Sequence, residues 1–82
     1  MIRFKLKELL SEKSFREGRK INLDNLAAAT KINKSTLSRI SSVRGYNTPT
    51  DNIDRLCRYF GCPVEKIMEY VPDEELAPLQ EK

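Results

Sequence analysis

The sequence predicts an all-α chain folded as a compact five-helix bundle, and three observations carry that expectation. Apolar residues recur at three- and four-residue spacing in well-separated stretches, which is the period of a helix with one buried face. The stretch Leu26 to Ile40, LAAATKINKSTLSRI, reads as two short helices joined by a sharp turn. At 82 residues, the chain has room for one small domain and a modest core.

The first helix is expected over residues 2–13, where Ile2, Leu6, Leu9 and Leu10 form one stripe and Lys5, Lys7, Glu8 and Glu12 stay outside it. Phe4 falls off that stripe, and either wraps the helix edge or meets another chain. Residues 14–22, SFREGRKIN, read as a helix end plus a loop, with Phe15 and Ile21 pinning its two ends to the core. Asn22 or Asp24 caps the second helix, whose three consecutive alanines, Ala27, Ala28 and Ala29, permit close packing up to about Thr30. Asn33 caps the third helix, residues 34–42, in which Leu37 and Ile40 face inward while Lys34, Ser35, Ser38 and Arg39 point away. A loop follows at residues 43–47, VRGYN.

Thr48 and Thr50 are competing caps for the fourth helix, in which Ile53, Leu56, Cys57 and Phe60 keep the helical spacing until Gly61. Pro63 opens a fifth helix, with Val64, Ile67, Met68 and Val71 against the core. The domain is therefore set at residues 1–71, and residues 72–82 are expected to form an acidic, partly disordered tail.

Ala27, Lys31, Asn33, Leu37 and Ile40 fall at the spacing of the helix-turn-helix in lambda repressor/Cro-type (XRE-like) transcriptional regulators, and the chain resembles that family over residues 2–70. Two positions depart from it. Lys31 stands where the family's turn usually has glycine, and Leu23 stands where it often has a phosphate-binding glutamine.

The resemblance implies a lambda repressor-like DNA-binding domain that inserts helix 34–42 into the major groove of double-stranded DNA. Lys34, Ser35, Thr36, Ser38 and Arg39 would then be divided between base edges and flanking phosphates, with Arg39 the preferred reader of guanine. Arg19, Lys20, Asn22 and Lys31 are expected at phosphates, as are Arg44, Tyr46 and Asn47 from the loop, although Tyr46 could equally pack. A weak homodimer is expected through helix five and the tail, around Met68, Tyr70, Val71, Leu76 and Leu79, with Arg55, Arg58 or Lys66 offsetting the acids there. Repression by promoter occupancy is the default mode of action.

Charge agrees with a polyanionic partner. Residues 1–48 carry 11 Lys and Arg against 4 Asp and Glu, and residues 49–82 carry 4 against 8, so a half at +7 adjoins a half at −4. Catalysis has no footing here: there is no histidine, no glycine-rich phosphate loop and no nucleophile beside a base. Cys57 and Cys62, with no histidine to complete a metal site, read as buried thiols, and no cofactor is expected. No apolar run is long enough to span a bilayer and no signal-peptide core is present, so a cytoplasmic protein is expected. The competing function is an antitoxin-like protein-interaction module on the same fold, with DNA contacts secondary or absent, which Lys31 and Leu23 favour. RNA binding ranks third, for want of an aromatic stacking pattern.

Overall fold

The structure, a computed structural model, describes residues 1–72 of the chain. Its elements in order are β1 (Ile2–Phe4), α1 (Leu6–Glu17), α2 (Leu23–Thr30), α3 (Lys34–Ser42), α4 (Thr50–Phe60), α5 (Val64–Ile67) and β2 (Met68–Tyr70). Five helices are present among the described residues, as expected, and a minor two-stranded sheet joins the two ends of the domain. Apart from Pro72, the expected tail lies outside the described residues.

The core is one cluster to which every helix contributes: Leu6 from α1, Leu26 from α2, Leu37 and Ile40 from α3, Ile53 and Leu56 from α4, and Ile67 from α5. Ile32, in the turn between α2 and α3, completes it. Each such side chain withdrawn from water contributes about 1.5 to 3 kcal/mol before entropy is counted, so a domain this small leans on every one of them.

Both ends of the domain differ from the helical expectation, and for one reason. Ile2 and Phe4 belong to a strand that pairs antiparallel with β2, Ile2 opposite Tyr70 and Phe4 opposite Met68. Between them Arg3 faces Glu69 and is ion-paired both to it and to Glu8. The Glu69 hydrogen bond, with the Glu8 charge behind it, raises the Arg3 pKa further. The same pairing shortens the fifth helix to a single turn, so Met68 stands on β2 and Val71 beyond it, and Val64 is exposed.

Helix α1 starts at Leu6, not at residue 2, and runs on to Glu17. Gly18 ends it in the left-handed region, φ 67°, a conformation that glycine enters without a Cβ penalty. The continuation leaves Phe15 on an outer helix face, 87% exposed, and so it does not pin the loop. Ile21 does: its N–H donates to Ser14 Oγ at 2.9 Å and its side chain is buried.

At the head of α4 neither threonine caps. Pro49 occupies the N-cap position, Thr50 is the first helical residue, and the Thr48 hydroxyl accepts from Asn52 Nδ2 at 2.9 Å.

Candidate nucleic-acid interface

Helix α2 is started by a reciprocal cap. Asn22 Oδ1 accepts from the Asn25 N–H at 2.9 Å, and Asn25 Oδ1 accepts from the Asn22 N–H at 3.1 Å. At the other end Thr30, though buried, keeps its hydroxyl satisfied by donating to the Leu26 carbonyl at 2.7 Å and accepting from the Ile32 N–H at 3.3 Å.

Lys31 follows in the left-handed region, φ 63° and ψ 28°, and its N–H donates to the Ala27 carbonyl at 2.8 Å. Lysine therefore adopts the conformation that a glycine would take here, at a cost of roughly 1 kcal/mol. From α4, Arg55 Nη1 donates to the Lys31 carbonyl at 3.2 Å.

Asn33 then starts α3, its Oδ1 accepting from the Ser35 N–H at 2.8 Å and from the Ser35 hydroxyl at 2.6 Å. With Leu37 0% and Ile40 2% exposed, the helix is fixed in rotation about its axis. Lys34, Ser35, Ser38 and Arg39 consequently stand on the solvent side, and Thr36 is half-buried at the edge. Among the described residues Arg39 has no ion-pair partner, whereas Lys34 Nζ lies 3.0 Å from Asp24 Oδ1 on α2. Both members of that pair are largely exposed, so the contact is weak and can be exchanged for another anion.

The residues expected at phosphates fall into unequal groups. Lys20, Lys31, Arg44 and Asn47 are exposed. Arg19 is exposed too, with Nη2 3.3 Å from Glu17 Oε1. Asn22 is exposed, but its side-chain oxygen is committed to the cap of α2. Tyr46 is half-buried and packs against the core cluster, which is the packing alternative. Leu23, where a glutamine would offer a hydrogen bond, is half-buried against the same cluster.

A family model for the Cro/C1-type HTH DNA-binding domain matches residues 5–73. The chain belongs to this family. The match takes in α1 to α5 and the whole turn around Lys31. A comparison with curated proteins returns no match. Membership in the Cro/C1-type family makes the protein a DNA-binding regulator of transcription in the general sense.

Two further residues stand beside Lys34 and Lys31, and no local pattern in the sequence marks them as neighbours of the candidate interface. Asp24 brings a negative charge beside Lys34, and its place in the first turn of α2 explains its presence, because that end of the helix dipole favours an acid. Arg55 reaches the Lys31 carbonyl from 24 residues away, a distance over which no local pattern speaks.

No helix among the described residues is long and apolar enough to cross a membrane. Cys57 and Cys62 are free, half-buried thiols, and burial pushes both above the usual thiol range.

Proposed function

We propose that this Cro/C1-type domain is a sequence-specific regulator, acting as a repressor by occupying its site, with α3 seated in the major groove. The observation that carries the reading is the division of α3: Leu37 and Ile40 lock one side into the core while Lys34, Ser35, Ser38 and Arg39 present a basic, hydrogen-bonding side to solvent. Arg39, uncommitted among the described residues, is assigned to a guanine edge, and Lys34, Ser35, Thr36 and Ser38 are divided between bases and phosphates. Lys20, Lys31, Arg44 and Asn47 are assigned to phosphates on either side, with Arg19 and the remaining amide donors of Asn22 at the margin.

We infer also that two copies bind together, because one helix of this size touches few base pairs and a genome offers many competing sites. The surface proposed for their contact is the β2 edge around Met68, Tyr70 and Val71, where Tyr70 is 67% exposed. Leu76 and Leu79, expected on the same surface, lie outside the described residues. Half-sites centred about 10 bp apart follow from such an arrangement. Cytoplasmic residence is part of the proposal.

Selection of bound duplexes from a random DNA pool, followed by sedimentation on the selected site, tests both parts. A single enriched motif whose binding weakens steeply with salt supports the regulator. An unenriched pool contradicts it in favour of a protein-interaction module, and a one-to-one complex on a non-palindromic site contradicts the dimer.

A further inference from the structure

A cleft of about 380 Å³ lies between β1, the first turn of α1 and the C-terminal end of α3. Its apolar lining comes from Phe4, Ile40, Val43 and Val71, and Lys7 and Arg44 stand on it as cations. Among the described residues neither of those two has an ion-pair partner. Arg3 is on the same cleft but is held by Glu8 and Glu69, so the Glu8 charge on the cleft is paired with Arg3. An occupant that combines apolar side chains with negative charge would suit both the lining and the two remaining cations.

The chain itself supplies one at the wall of the cleft. The Val71 N–H donates to the Met1 carbonyl at 2.8 Å and the Met1 amino group donates back to the Val71 carbonyl at 3.0 Å. The residues that follow Pro72 include Asp73, Glu74 and Glu75, then Leu76 and Leu79. A handful of residues at about 3.3 Å each is enough to cross a cleft of this size. Being tethered, they are present at a local concentration on the order of millimolar, so weak contacts suffice.

We propose that residues 73–82 bind in this cleft of their own chain, acids toward Lys7 and Arg44 and leucines on the Phe4 and Val43 lining, and so withhold Arg44 from DNA. The last clause rests on the reading of Arg44 as a phosphate contact; the docking itself does not. Leu76 and Leu79 thereby acquire a partner within the chain in place of one across a dimer.

The test compares amide chemical shifts of Lys7, Val43, Arg44 and Gly45 in the full chain with those in two full-length variants, D73N/E74Q/E75Q and L76A/L79A. Lys7 lies outside the core cluster of the described residues, and circular dichroism and melting of each variant check that the fold is retained. Shift changes at these four amides in both variants, independent of protein concentration, are expected. Lys7→Glu should reproduce them, and adding Glu75→Lys should reverse them. The charge-removed variant should also bind the selected duplex up to about fivefold more tightly, the scale of one exposed ion pair.

Identical shifts in the wild type and both variants would overturn the docking. Shift changes that grow with protein concentration would assign the segment to a second copy and overturn docking within one chain. Docking with unchanged DNA affinity would overturn the withholding of Arg44. A chain that bound no DNA at all would contradict the regulator, while the shifts still decided the docking.

Discussion

Arg55 on α4 donates a hydrogen bond, 3.2 Å long, to the carbonyl of Lys31, the one non-glycine residue with positive φ among the described residues. The turn that sets α3 against α2 is thus held from a third helix. Lys31→Gly should relieve the left-handed conformation and stabilise the fold by roughly 0.5 to 1 kcal/mol, while removing a cation from the proposed phosphate face and flattening the salt slope of DNA binding by about one unit. Arg55→Gln should cost up to about 1 kcal/mol, since the bond is exposed. Thermal melts of the two variants check the signs; a Lys31→Gly protein less stable than wild type would show that the turn carries no strain.

Rotation of α3 depends on its buried side and its orientation on its cap. Leu37→Ala should lose about 2 to 5 kcal/mol, because its side chain is wholly buried in a small core. Asn33→Ala should lose about 0.5 to 2 kcal/mol through the Ser35 N–H. Denaturant midpoints unchanged in both variants would mean that α3 presents a different face.

Lys13 joins Glu17, with Nζ to Oε2 at 2.8 Å, and lies 5.0 Å from the centre of the Tyr59 ring on α4. The Lys13 hydrogen bond holds the Glu17 carboxyl below the usual carboxylate range. A depressed folded value makes this contribution complete above the unfolded carboxylate range, and it is lost as pH falls through the folded value. The stability gap between wild type and Glu17→Gln should therefore be seen at neutral pH and close on acidification. A gap that widened toward acid would reverse the assignment.

Much of this was legible in the sequence because the informative residues are local. Asn33 caps within two residues, and Leu37 and Ile40 are read together by helical spacing. The residues of the proposed DNA face follow from the same spacing, since whatever is not on the buried stripe must point outward. The failures are non-local. Ile2 and Phe4 alternate with charged residues and so fit a strand as well as a helix edge, and only Met68–Tyr70 decides between them. Pairing with β1 in turn halts α5 after Ile67, although Met68 and Val71 continue its spacing. Phe15 is exposed and not a loop anchor because α1 runs past Lys13 to end at Gly18, which keeps Phe15 on the helix.

The readout by α3 is tested most directly by the affinity of wild type and Arg39→Ala for the selected duplex and its single-base variants at fixed salt. Arg39 is exposed, while neighbouring Leu37 and Ile40 hold the helix, so the variant keeps the fold. Loss of a bidentate guanine contact should cost about 1 to 3 kcal/mol and erase discrimination at one base position, whereas Lys34→Ala should weaken all duplexes alike if Lys34 serves a phosphate. Equal affinity of wild type and Arg39→Ala for every duplex would contradict base reading by α3.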